Sequence, residues 1–192
     1  MRCKSRLAMA LPPEARVELA RWMLAKAIEC ASASVEVTHL IVVSAERDEV
    51  PTSVEVLWDG GYNLNSALER ARDAAFSRGA RELVIVHADL PELKSADIDD
   101  LVRAGRRCDV AIAPDRMSNG TNALYLRRPQ FQFQFGDEGS CRRHEAEALA
   151  RGLRSTRVER AGLAHDVDTV EDLQRYMPWY APRRVSFTPV VA

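Results

Sequence analysis

A single α/β domain with a largely parallel, doubly wound sheet is the fold this sequence predicts, on three observations. Apolar runs of strand length, at residues 83–86 and 110–113, alternate with segments whose apolar residues recur at helical spacing. The chain has 192 residues, 46% hydrophobic, enough to build one core without disulfide or metal support. No repeat, low-complexity tract or interdomain linker interrupts it.

The elements follow in order. Pro12-Pro13-Glu14 reads as a helix start, because proline suits the first turn and an acid there suits the helix dipole. Val17, Ala20, Leu24, Ala27 and Ile28 carry the helix to about Ala31. Residues 35–43 are β-rich and run into a polar turn. A shorter strand at 54–58 meets the turn Asp59-Gly60-Gly61. Asn63 or Asn65 caps the next helix, which passes through Leu68 and Phe76 and closes at Gly79. Residues 83–86 are expected to form a strand buried on both faces. Ser95 opens a helix with Ile98, Leu101 and Val102 inward. Strands at 110–113 and 122–126 flank a loop at 114–120. Residues 131–135, Phe-Gln-Phe-Gln-Phe, alternate with period two, as a half-buried strand does. A helix over about 141–150, a strand near 157–159, an Asp166-Val167-Asp168 turn and a helix over 170–176 complete the domain. The division is a domain at 1–178 and an arm or edge strand at 179–192, where Pro182 and Pro189 lie.

Composition excludes several classes. Lys plus Arg number 27 against 28 acids, so no basic excess advertises a nucleic-acid partner. Cys3, Cys30, Cys108 and Cys141 contain no CxxC pair, which speaks against a zinc site or disulfide framework and for reduced thiols. Apolar stretches are strand-sized rather than membrane-sized, and residues 7–11 are too short for a signal-peptide core. A cytoplasmic protein is the default.

In open α/β sheets ligands bind beyond the carboxyl ends of the strands, so polar residues ending apolar runs are the first candidates. Asp89 follows the 83–86 run, although a lone Asp-Leu-Pro taken by itself reads first as a helix-capping or turn aspartate. Asp166 and Asp168, two apart on an extended segment, point the same way and can share a cation, while Asp168 or Thr169 can cap the following helix. Three carboxylates on two strand ends suit magnesium-dependent nucleotidyl transfer, where the ion bridges phosphate oxygens. The loops at 119–122 and 136–140 carry glycine, which admits close backbone approach. Gly139-Ser140 at a helix start suits an anion, with Arg142, Arg143 or His144 nearby, although most such helix starts bind nothing. Lys4-Ser5-Arg6 is either a solvated basic cluster or the neutraliser of a triphosphate. His39 and His165 receive no role. Trp22, Trp58 and Trp179 read as packing residues rather than base-stacking platforms.

Taken in order, these pieces resemble a known family. Lys4-Ser5-Arg6-Leu7, Leu64-Asn65-Ser66-Ala67-Leu68, Ala88-Asp89-Leu90-Pro91, Ala113-Pro114-Asp115-Arg116, Gly120-Thr121-Asn122-Ala123-Leu124, Phe135-Gly136 with Gly139-Ser140 and His144, and Asp166-Val167-Asp168-Thr169 are similar to the 2-phospho-L-lactate guanylyltransferase family. That family includes the phosphoenolpyruvate and 3-phospho-D-glycerate guanylyltransferases of coenzyme F-420 biosynthesis. The resemblance runs from about Arg2 to Leu173. It implies a Rossmann-like, GT-A-type nucleotidyltransferase fold, GTP as donor, Mg2+ as cofactor and pyrophosphate as by-product. It also implies that Asp89, Asp166 and Asp168 are catalytic and hold the metal. Thr121, Gly136 or Gly139, and Ser140 would hold the phospho-acid; Lys4 and Arg6 would face the triphosphate, and Asn65 would lie near the guanine. The product would pass to the downstream phospholactate-type transferase, and a homodimer through residues 179–191 is a further expectation.

Two departures from the family pattern stand out. The family carries a strand ahead of the Lys-Ser-Arg element, where this sequence opens, so the expected sheet lacks that strand. The 135–140 segment is one residue longer than the usual glycine-serine spacing, which leaves Gly136 and Gly139 both open as the acid's contact. Competing readings are another nucleotidyltransferase of the same fold, of molybdopterin or sugar-phosphate type, and a truncated, non-catalytic nucleotide-binding subunit.

Overall fold

Alternating apolar residues on two adjacent strands set the architecture. The computed structural model describes residues 4–44, 50–61, 63–136 and 138–180. In β4 (Val110–Pro114), Val110 and Ile112 face one way and Ala111 and Ala113 the other, and all four are buried. In β5 (Thr121–Leu126), Leu124 and Leu126 share the first face and Ala123 and Tyr125 the second. Helix α3 (Ser95–Arg106) covers the second face with Ile98, Leu101 and Val102, joined by Cys30 of α1 (Pro13–Ala33). Helix α4 (Ser140–Ala150), through Cys141 and Ala148, covers the first with Phe131, Phe133, Phe135 and Leu68 of α2 (Leu64–Ser77). The sheet is therefore wound on both faces, as expected.

It is not largely parallel. The four-stranded sheet runs β3–β5–β4–β6, with β3 (Leu83–Val86) and β6 (Ser155–Arg157) at its edges. Strand β5 is antiparallel to both β3 and β4, and only β4 and β6 pair in parallel. The cause is the short 115–120 connection: a parallel crossover needs about a dozen residues or more, whereas a short loop can only reverse the chain. A second, separate sheet pairs β1 (Ile41–Ser44) with β2 (Glu55–Trp58) in parallel. Helix α1 joins these parts. Its C-terminal half packs Ile28 against Val42 and Val50, and its N-terminal half packs Leu19 and Met23 against Leu7, Val167 and Leu173.

Other expectations shift locally. Among the described residues strand β3 has one neighbour, and only Ile85 is buried within it rather than both faces. The β-rich 35–43 stretch pairs only at its end, because Glu36 N–H donates to Ser34 Oγ and Asp99 Oδ1 instead of to a ladder. The strand expected near 157–159 forms two residues earlier. Phe131, Phe133 and Phe135 are buried as their alternation implies, but 131–135 joins no sheet among the described residues. Asn63, not Asn65, caps α2, accepting from Ser66 N–H at 3.0 Å. Trp58 is 65% exposed at the end of β2, so it is not a packing residue. Trp179 and Tyr180 lie against α1, the first on the Trp22 ring at 5.1 Å and the second donating its hydroxyl to Ala15 O at 3.1 Å. Residues 181–192 and Cys3 lie outside the described residues; Cys30, Cys108 and Cys141 are free and buried. Among the described residues no helix is long and apolar enough to cross a membrane.

Candidate active site

Strand direction gathers the candidate residues at one sheet edge. Because β5 runs against β3 and β4, its first residues lie beside their carboxyl ends, with Val86 opposite Ala123 and Pro114 opposite Thr121. His87 N–H donates to Asn122 O at 2.9 Å, extending that pairing towards Asp89. From the far side comes the segment after α5 (Ala161–Ala164), where Val167 N–H donates to Asp89 O at 3.1 Å. Asn122 Nδ2 donates to Asp166 Oδ1 at 3.2 Å. Asp89 and the Asp166–Asp168 pair thus meet, although 77 residues separate Asp89 from Asp166 in sequence.

One ammonium group spans the carboxylates. Lys4 Nζ lies 2.6 Å from Asp89 Oδ2 and 2.9 Å from Asp168 Oδ1, and Arg6 reaches Asp168 Oδ2 at 3.3 Å. Lys4 has left-handed backbone (φ 47°), uncommon for a residue with a Cβ, and it starts the single 3-10 turn Ser5–Leu7. Leu7 anchors that turn, fully buried against α1 and α6 (Val170–Tyr176). Burial works against the Lys4 charge, but attraction to Asp89 and Asp168 outweighs it and the ammonium pKa rises. Burial likewise opposes ionisation of Asp89, yet Lys4 and His87 hold its carboxyl below the usual range. Asp166 shifts the other way: burial and repulsion from Asp89 and Asp168 raise it, against the Asn122 hydrogen bond. A cavity of about 330 Å³ opens beside this cluster, lined by Lys4, Ser5, Arg6 and Asp168.

The helix cap frees Asp168. Thr169 caps α6, accepting from Asp172 N–H at 3.2 Å, while Asp172 Oδ2 accepts from Thr169 N–H at 2.9 Å. Asp168 has no capping duty and points to Lys4 and Arg6. Among the described residues, no three acidic, histidine or cysteine side chains form a ready-made metal cage. The donors do fit a hard divalent cation. They are all oxygens, and Asp89 Oδ1 is buried without a hydrogen-bond partner.

A second group stands one residue along β5. Thr121 is buried, with Oγ1 3.0 Å from His144 Nδ1 of α4. His144 is also fully buried, and its Nε2 accepts from Gln134 N–H at 2.9 Å. Burial and the nearby Arg143 and His87 depress its pKa to about 4, so the ring is neutral. That neutrality removes His144 as a charge partner for a phosphate. Gly136 (φ 102°) and Gly139 (φ 83°) both occupy left-handed backbone that favours glycine, and Gly139 leads into α4, whose first residue is the buried Ser140. A Cβ at Gly136 would meet nothing within 4 Å, so its backbone is open to approach. The Asn65 side chain accepts from Phe135 N–H at 2.8 Å and donates to Phe135 O at 3.0 Å, tying α2 to the segment before Gly136.

Over residues 1–178 the sequence matches the family model described as guanylyl transferase CofC like. The chain belongs to the CofC guanylyltransferase family. It is 39% identical over 176 residues to the phosphoenolpyruvate guanylyltransferase of Sphaerobacter thermophilus, covering 89% of this chain and 84% of that one. It is 34% identical over 175 residues to the 2-phospho-L-lactate guanylyltransferase of Methanothermobacter thermautotrophicus, covering 88% and 76%. Among solved structures it is similar to a protein classed with the nucleotide-diphospho-sugar transferases from Desulfovibrio desulfuricans G20 (TM-score 0.76, 18% identity, 96% and 83% covered). It is also similar to CMP:2-keto-3-deoxy-manno-octonic acid synthetase with CTP (TM-score 0.57, 12% identity, 80% and 85% covered). These likenesses establish an α/β nucleotidyltransferase fold for this CofC chain.

Three residues of this CofC chain have roles that the sequence left unassigned, although Asp115 and Asn122 stand in motifs of the family resemblance. Asp115 accepts from Asn119 N–H at 2.8 Å and Gly120 N–H at 2.9 Å, holding the loop that delivers Thr121; an aspartate five before a glycine is the local signal of this turn. Asn122 orients Asp166. His87, half-buried beside the Phe135 ring at 5.0 Å, keeps its Nε2 buried and unpartnered.

Proposed function

We propose that the chain transfers GMP from GTP to a phosphorylated three-carbon acid, phosphoenolpyruvate or 2-phospho-L-lactate, with release of pyrophosphate. Family membership supports the reaction class and its place in coenzyme F-420 biosynthesis. The single observation that carries the residue roles is the junction on β5. Thr121 reaches His144 and Asn122 reaches Asp166, so two clusters hang on consecutive residues, whose Cα atoms lie about 3.8 Å apart. One cluster is acidic with a basic rim, suited to a metal-bound triphosphate. The other offers a hydroxyl, open glycine backbone and a helix start, suited to a small acid.

Asp89, Asp166 and Asp168 would hold a magnesium ion. When bound, that ion offsets charge on the phosphate oxygens around the attacked phosphorus. Lys4 and Arg6 face the triphosphate from the rim of the 330 Å³ cavity. Thr121, Ser140 and the backbone at Gly136 or Gly139 orient the phospho-acid. An oxygen of the acid's phosphate attacks the α-phosphorus of GTP, and the bond to the bridging oxygen of pyrophosphate breaks. The attacking phosphate is already ionised at neutral pH, so no general base is required. Catalysis then rests on aligning two anions and offsetting their repulsion.

The test is pyrophosphate release from GTP with magnesium and, separately, phosphoenolpyruvate, 2-phospho-L-lactate and 3-phospho-D-glycerate, each coupled to the downstream transferase to trap product. Release that depends on one acid is expected. A folded protein silent with all three acids would overturn the proposal.

A further inference from the structure

Two hydrogen bonds around His144 decide where its proton sits. A backbone amide can only donate, so Gln134 N–H requires a bare lone pair on Nε2, 2.9 Å away. A neutral imidazole carries one proton, which must then be on Nδ1. Nδ1–H therefore donates to Thr121 Oγ1 at 3.0 Å, and the Thr121 hydroxyl is the acceptor. Its own hydrogen is left free to donate elsewhere.

We infer that His144 is a positioning residue that fixes the Thr121 hydroxyl as a donor to the anionic acceptor substrate. A threonine hydroxyl left alone rotates among staggered wells and presents either hydrogen or lone pair. With His144 filling one lone pair, the hydrogen is directed away from α4. The inference rests on the acid-binding role given to Thr121 above and explains why a buried histidine belongs there.

The surroundings hold the ring in this state. Phe135 and Phe131 lie at 4.7 and 5.8 Å from it, centroid to centroid, and exclude water. Arg143 Nη1 donates to Glu138 O at 2.7 Å and Nη2 to Gln134 O at 3.3 Å, clamping the main chain on both sides of Gly136. The Gln134 amide that selects the tautomer is thus held by the same segment that carries Gly136. One imidazole couples the two elements proposed to grip the acid, the start of β5 and the 134–136 backbone.

The test has two arms. In the first, the ¹⁵N shifts of labelled His144 in the full chain are expected to report a neutral ring with its proton on Nδ1. A proton on Nε2 would overturn the relay whatever the activity. In the second, KM for the phospho-acid, KM for GTP and kcat are compared. The variants are Thr121→Val, His144→Gln, His144→Asn and the Thr121→Val/His144→Gln pair. Glutamine can keep the acceptor for Gln134 but loses the donor to Thr121, whereas asparagine keeps a donor near the Nδ1 position. Thr121→Val and His144→Gln should each raise the acid's KM roughly tenfold, with less than about a twofold change for GTP. The pair should be no worse than either alone, and His144→Asn should regain part of the loss. Additive effects, or equal losses in the two His144 variants, would sink the inference. Wild-type silence with every acid would instead sink the substrate assignment, and the spectrum still reads the tautomer. If His144→Gln fails to fold, Thr121→Val against Thr121→Ser carries the kinetic arm: equal acid KM values would overturn the donor role.

Discussion

Charge balance at Asp89 and proton placement at His144 dominate at the scale of the residue. Asp89→Asn or Asp168→Asn keeps the side-chain volume and removes the anion. Each is expected to lower guanylyl transfer by on the order of 100-fold or more while the protein stays folded. Steady-state rates at saturating magnesium, with circular dichroism beside them, check this; wild-type turnover in either variant would remove it from the metal set. His144 makes a prediction about stability. Its folded pKa of about 4 lies below the ordinary value near 6.5, so as pH falls the unfolded chain binds a proton that the native ring refuses. The stabilisation is complete above about pH 6.5 and is lost as pH falls towards 4. Its size is about 3 kcal/mol for this fully buried ring. Arg143, His87 and Glu147 are the charged or titratable groups acting on it. Denaturation midpoints at neutral and acid pH should therefore diverge more in wild type than in His144→Gln.

Among the elements, α3 and β5 meet through a glycine. A Cβ at Gly105 would fall 1.9 Å from Cδ1 of the buried Tyr125 ring, so this close approach admits no side chain. Gly105→Ala is expected to destabilise the fold by roughly 1–3 kcal/mol through overpacking, although alanine is the better helix former. A urea titration decides it; equal or higher stability would mean that the ring moves aside. Strand β5 shows what periodicity misses. Strict alternation puts Thr121 on the face of Ala123 and Tyr125, towards α3. A register shift intervenes, with Ala113 opposite Ala123 but Pro114 opposite Thr121, and Thr121 meets His144 on the α4 side instead. The 131–135 segment is a related case. Its alternation correctly placed three phenylalanines inside, but its amides bond to Glu147, His144 and Asn65 side chains rather than to a strand. Local pattern carries burial; it carries no information on which partner satisfies the backbone.

Across the whole molecule, helix α1 is the common support of the second sheet, of α3 and of α6. Trp179 and Tyr180 belong to that support, beyond the expected boundary at residue 178. Trp179→Ala is expected to cost roughly 1 kcal/mol, because it loses the edge contact with Trp22 while the partly exposed ring gives up little buried area. A thermal melt unchanged from wild type would show that contact to be dispensable. The sequence by itself determined the main helices, most of the core strand runs, the doubly covered core and, through an ordered set of short motifs, the family. These are properties of neighbours along the chain or of residue type. Only the tertiary structure decided that β5 runs backwards and that Lys4 spans Asp89 and Asp168. Only it could show Asn65 turned to Phe135, and His144 as a neutral hydrogen-bonding ring rather than a phosphate ligand. Each of those depends on which distant group satisfies a buried polar atom. Hydrogen-bond satisfaction is settled in space, after the backbone has brought the partners together.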